Sequence, residues 1–158
     1  MNKYENAMKL MEDFCGNDKD TLIALATISL SPNAEGNARP VVRMVNSYYE
    51  DGAFYISTGA KKNKMFEIEK NNEVSVCGLD LFAVQGIAEN LGWVKDEKNS
   101  EVRAKMKKIF PWFTDHANED DPSSIVLRIT LTSGTITDNE QKYGVWQYKV
   151  DFTKKEVQ

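Results

Sequence analysis

The sequence predicts a mainly β protein with a minority of helix: an antiparallel barrel of about six to seven strands with helices flanking it. Three observations carry this expectation. Short runs rich in Val, Ile, Tyr and Thr recur along the chain between clusters of turn residues, and most are neighbours in sequence. Two of these runs are joined through Glu50-Asp51-Gly52, a hairpin signal. Helical periodicity, by contrast, is confined to three segments.

Taken in order, Tyr4, Ala7, Met8, Met11, Phe14 and Cys15 recur at helical spacing and predict a helix over 3–15 that stops at Gly16. The apolar run 21–30 predicts a buried strand, and SPNAEGNA at 31–38 a turn. A second strand is expected over 39–49 and a third over 53–58, after the hairpin. A helix then carries Met65, Phe66 and Ile68 on its inner face and ends at Asn71-Asn72. The alternating stretch 73–77 predicts a strand, a turn near Gly78 follows, and 81–91 predicts a long strand with a bulge or bend at Gly86. Asp96 is a candidate cap for the next helix, where Val102, Met106, Ile109 and Phe113 form one stripe that Pro111 ends or kinks. A polar loop at 114–124 leads to two last strands, 124–137 and 143–152. No repeat or linker interrupts the pattern, so one domain is expected over 1–158.

Composition narrows the function. The chain has 158 residues, 41% hydrophobic and 28% charged, which suits an ordinary globular core. A formal net charge of −4 argues against an extended nucleic-acid surface, since such binding is mainly phosphate neutralisation. Two cysteines, Cys15 and Cys77, are too few for a disulfide framework or a metal motif and point to a reducing, cytoplasmic setting. The N-terminal stretch has acidic residues and no apolar core, unlike a signal peptide, and no apolar run approaches the roughly 18 residues of a membrane span. Glu119-Asp120-Asp121 lacks the alternation and glycine of a calcium loop.

The most informative stretch is FYISTGAKKNKMFEIEKNN, residues 54–72. A strand breaks at Ser57, Thr58 and Gly59 and restarts as a helix whose first turn carries Lys61, Lys62 and Lys64. The first helical N–H groups lack partners and the peptide dipoles add positive potential there, so lysines at this end call for an anion or for full solvation. A second informative segment is RPVVRM, residues 39–44. Strand alternation puts Arg39, Val41 and Arg43 on one side, with Val42 and Met44 expected to face the barrel interior. Arg39 and Arg43 then stand about 13 Å apart. Two arginines on such a face suit an anionic or planar partner, or a pair of surface salt bridges.

The order of these segments resembles the FMN-binding split-barrel superfamily that includes pyridoxamine 5′-phosphate oxidase, and within it the general-stress-protein branch of flavin-nucleotide-binding proteins. The resemblance is carried by RPVVRM, the hairpin, FYISTGAKKNK, the EVSV strand and the glycine-bearing strand, roughly residues 15–95. It implies an antiparallel split β-barrel and FMN as cofactor, held by Arg39, Val41 and Arg43 of the flavin strand, Ser57 and Thr58 facing the ring, and Lys62, Asn63 and Lys64 on the phosphate. It also implies a homodimer with the flavin at the interface, Trp146 being one candidate to cover the ring from the partner chain. Where the family carries a second basic residue on the flavin strand this chain has Met44, and the family's strand glutamine falls at Leu81. The arginine and histidine cluster that follows a tryptophan in the true oxidases is missing, which argues against pyridoxamine 5′-phosphate oxidation. The expected function is a flavoprotein passing hydride or electrons between a reduced nicotinamide-type donor and a small-molecule acceptor. The alternatives are a non-catalytic flavin-binding stress protein, or a split barrel holding deazaflavin or haem. For haem the only histidine is His116, in the polar loop.

Overall fold

The computed structural model describes all residues from Met1 to Gln158. Helix α1 (Lys3–Cys15) leads into strands β1 (Thr21–Ile28), β2 (Pro40–Glu50) and β3 (Ala53–Gly59), helix α2 (Asn63–Lys70), and strands β4 (Glu73–Gly78) and β5 (Phe82–Trp93). A single 3-10 turn at Glu97–Asn99 opens α3 (Ser100–Ile109), and a short α4 (Phe113–His116) precedes β6 (Ser124–Thr137), β7 (Gln147–Asp151) and β8 (Glu156–Val157). Every strand pairing is antiparallel. The order β3-β2-β1-β4-β5-β6 closes on itself through β3–β6, making a six-stranded barrel, and β7 and β8 extend from β6. The fourteen residues of β6 make this possible: its first half pairs with β3, its second half with β7, and its other edge runs along β5.

Alternation sorts the side chains. Ile23 and Leu25, Phe54 and Ile56, Val74 and Val76, and Leu127 and Ile129 fill the barrel, where α1 adds Ala7, Leu10, Met11 and Cys15. A second core lies outside the barrel wall, where Tyr48 and Val126 meet Met106, Ile109, Phe110 and Phe113 from α3 and α4. The stacked rings of Tyr48 and Tyr55, 4.9 Å apart, form its floor.

Turn chemistry behaves as the sequence reading expects at two places. Asp51 and Gly52 adopt φ of 48° and 79°, the left-handed pair that a two-residue hairpin needs. The bulge forms between Gln85 and Gly86, where β6 spends Thr132 as an extra residue. A Cβ at Gly86 would stand 2.7 Å from the Thr130 carbonyl oxygen, so only glycine allows this approach.

Several boundaries differ from expectation. Arg39 lies just before β2 rather than in it, and Phe113 belongs to a separate helix because Pro111 interrupts the stripe after Ile109. On α2 the buried residues are Met65, Glu67 and Ile68, while Phe66 is exposed. The largest correction concerns β2: Val42 and Met44 face outward, 65% and 57% exposed. Register gives the reason, since Arg43 stands opposite the core residue Leu25, whereas Val42 and Met44 stand opposite Ala26 and Ala24 on the outer wall. Apolar character does not guarantee burial, and here the arginine takes the inner side because a buried carboxylate awaits it there.

Candidate anion site at the start of the second helix

The connection from β3 to α2 spans only Ala60, Lys61 and Lys62 and is tied down at both ends. The Ala60 N–H donates to the Ser123 carbonyl at 2.7 Å, and the Lys62 N–H to the Gly59 carbonyl at 3.1 Å. Lys62 occupies the N-cap position with no side-chain cap, and no acidic residue lies in the first turn of α2. Uncapped N–H groups and unneutralised lysines thus share one helix end.

Lys64, one residue into the helix, folds back on the strand: its Nζ donates to Thr58 Oγ1 at 2.9 Å. The ammonium is half-buried and has no carboxylate within ion-pair distance. Desolvation lowers its pKa, with the positive charges of Arg43 and Lys62 adding to the effect. The structure therefore brings Thr58, Lys62 and Lys64 together around a cation short of negative charge. Asn63 is exposed beside them, and Ser57, half-buried, alternates to the outer face of β3 with Tyr55.

Arg43 is held differently. Its Nη2 donates to Glu67 Oε1 at 2.7 Å and its Nη1 to Thr27 Oγ1 at 2.7 Å, with a longer contact of 3.3 Å to the Leu25 carbonyl. The Thr27 hydroxyl in turn donates to the same Glu67 oxygen at 3.1 Å. This closed arrangement joins β1, β2 and α2, and Glu67 is only 6% exposed within it. Sequence reasoning missed both Glu67 and Thr27. The available signal was a glutamate flanked by Met65 and Ile68 on the inner side of a short helix, three residues after Lys64.

The remaining candidates are scattered. Arg39 is exposed and contributes its carbonyl to the Ser29 N–H at 2.8 Å. Val41 is half-buried on the inner face of β2. Trp146 is 56% exposed at the end of the β6–β7 connection, its carbonyl accepting from the Asp138 N–H at 2.7 Å. Thr58 pairs with Ile125 near the start of β6, so about 40 Å of strand separates it from the Trp146 end. Within one chain Trp146 and the lysine corner do not meet. His116 is exposed in a hollow lined by Lys95, Arg103, Asp115 and Glu119, where the charges already form ion pairs such as Arg103–Glu119 at 2.6 Å.

The outer wall is the other notable surface. Leu22, Val42 and Met44 are exposed there beside Ala24, Ala26 and the exposed Cys77, which register places opposite one another across β2, β1 and β4. These side chains make an exposed, largely apolar stretch of the sheet face, interrupted by Asn46 opposite Leu22 and Ser75 opposite Ala26.

The fold is thus a closed antiparallel barrel with an uncapped, lysine-rich helix start beside a strand-end threonine. Residues 15–138 match the pyridoxamine 5′-phosphate oxidase family, and the chain belongs to that family. No curated protein matches it in sequence. Solved structures share the fold at low identity. A Clostridium acetobutylicum protein related to general stress protein 26 has a TM-score of 0.59 at 15% identity, over 97% of this chain and 96% of its own. A FAD-binding protein of Mesorhizobium loti has a TM-score of 0.54 at 16% identity, over 82% and 88%. The heme storage protein of Vibrio cholerae has a TM-score of 0.55 at 14% identity, over 83% and 91%.

Proposed function

We propose that this protein is an FMN-binding flavoprotein that works as a homodimer and passes hydride or electrons between a reduced nicotinamide-type donor and a small acceptor. One observation carries the reading: Lys64, half-buried, hydrogen-bonded to Thr58 and lacking a carboxylate, sits at an uncapped helix start. A phosphate monoester supplies the negative charge and the acceptor oxygens that this corner lacks. Thr58, Lys62, Asn63 and Lys64 would hold the phosphate, while Ser57 and the outer face of β3, with Arg39, would face the ribityl chain and ring. The isoalloxazine supplies the redox chemistry when bound, and the chain's residues orient it and shield it from water.

None of the principal hollows of the single chain is lined by these residues. A ring site completed by a second copy accounts for that, and the apolar wall around Val42 and Met44 offers the surface to seat it. Trp146, too distant within one chain, reaches such a site only from the partner. Both thiols are free, which suits the reducing environment of the cytoplasm, and no helix is long and apolar enough to cross a membrane. Haem is less well served, because the sole histidine is exposed in a polar hollow whose charged residues already pair with one another, as Arg103 does with Glu119.

The test is an FMN titration of the purified chain followed by flavin fluorescence. One FMN bound per chain, with steady NADH or NADPH oxidation by the loaded protein, is the expected result. Binding without turnover would make the protein a flavin carrier, and absence of binding by a folded dimer would refute the flavin reading. Met44→Lys is expected to yield a monomer by sedimentation and to weaken FMN at least tenfold; an unchanged dimer would move the interface elsewhere.

A further inference from the structure

Two cations of similar burial lie close together at the helix start, and only one is neutralised. Arg43 is engaged by Glu67 and Thr27 at 2.7 Å each, whereas Lys64 has only the Thr58 hydroxyl at 2.9 Å. Glu67 lies three residues beyond Lys64, so both side chains project from neighbouring turns of one short helix. The positive groups facing this region are Lys62 at the N-cap, Lys64 from α2 and Arg43 from β2, while β1 contributes the neutral Thr27. Glu67 is the one carboxylate ion-paired within this group.

We propose that Glu67 is a specificity-determining residue of the anion site: by occupying Arg43 it keeps the guanidinium off the ligand and leaves the terminal phosphate to Lys64 and the helix start. A planar fork beside a lysine would hold carboxylates and phosphates alike in bidentate fashion. A lysine with backbone donors instead favours a compact phosphate monoester at the helix axis. The arrangement also limits the positive charge of the pocket, since the three cations are reduced by one. Thr27 makes the engagement geometric as well as electrostatic: its hydroxyl bridges guanidinium and carboxylate, and Arg43 cannot swing free without breaking its bonds to Glu67, Thr27 and the Leu25 carbonyl.

This inference rests on the phosphate-site reading above, and its test separates the two. Glu67→Gln preserves shape and removes the charge. It is expected to tighten FMN by about fivefold at low salt, with a steeper loss on adding salt, while riboflavin binding stays within about twofold. A scaffold role would weaken both ligands together, and that result, or an unchanged FMN affinity, would overturn the proposal. Should Glu67→Gln fail to fold, the double variant Arg43→Met with Glu67→Met removes the pair at constant net charge. FMN affinity within about twofold of wild type is expected, and a tenfold loss would show that Arg43 itself touches the ligand. The Lys64 ammonium, followed by NMR titration without flavin, is expected to titrate lower in Glu67→Gln. If wild-type protein binds no FMN the flavin reading fails, and this titration still decides whether Glu67 sets the charge at Lys64; an unmoved midpoint overturns it.

Discussion

Arg43 and Lys64 are two half-buried cations in one corner of the barrel, and they have opposite relations to the protein around them. Arg43 makes an ion pair, a bond to a hydroxyl and a bond to a carbonyl, all inside the chain. Lys64 makes one bond to a neutral hydroxyl, and desolvation then holds its pKa below the usual lysine range. The first cation is part of how β1, β2 and α2 hold together. The second is a cost to the free protein that an anionic ligand would relieve. Burial alone does not distinguish a structural charge from a functional one; the partner does.

Four experiments test this contrast. The largest effect is expected from Arg43→Met, which strands the Glu67 carboxylate in the core: about 2–4 kcal/mol of stability lost in urea unfolding, with no gain from ligand. A loss under about 0.5 kcal/mol would remove Arg43 from the structural side. Lys64→Ala is expected to weaken FMN by tenfold to a hundredfold, about 1.4–2.8 kcal/mol, with riboflavin little affected. Equal loss for both ligands would mean that Lys64 meets the ring or ribityl chain instead of the phosphate.

The pH dependence follows from the sign of the Lys64 shift. Its folded pKa is below the unfolded value of 10.5, so in the window between them the unfolded chain binds more protons. The destabilising contribution is fully present below the folded pKa and is relieved as pH rises toward 10.5. Phosphate binding runs the other way, because the ammonium is lost over the same range. Wild type minus Lys64→Met should therefore show apo stability rising and FMN affinity falling through this window, and a parallel trend in both would contradict the assignment. The smallest effect is on apo stability at neutral pH, where Lys64→Met is expected to stabilise by about 0.5 kcal/mol as measured by thermal unfolding. Destabilisation instead would place Lys64 with Arg43 as a structural cation.

The thiols show the same dependence on surroundings. Cys15 lies in the core, donating to the Met11 carbonyl at 3.1 Å, and burial pushes its pKa up to about 12, while Cys77 is exposed on the outer wall. The helical stripe of Ala7 and Met11 already puts Cys15 on the buried side, whereas the alternation over 73–77 does not say which face of the sheet Cys77 takes.

Local signals carried most of the architecture. The spacing of Ala7, Met11 and Cys15 determined α1, the Asp51-Gly52 pair determined the β2–β3 hairpin, and Gly86 marked the bulge, because each depends on a few neighbouring residues and their allowed backbone conformations. The turn expected near Gly78 forms through Leu79 and Asp80, which adopt φ of 44° and 60° with no glycine at either position, whereas the same logic misses the two-residue β8. The lysine-rich start of α2 and its nearness to Thr58 were legible for the same reason, since six residues and one strand-to-helix turn connect them. What the sequence alone left open was which way β2 faces and what each cation meets. Those were decided by the pairing of Arg43 with Leu25 across β1 and by the arrival of Glu67 from α2, contacts between residues 18 and 24 positions apart. A strand pattern is symmetric under exchange of its two faces, and only the closure of the barrel chooses between them.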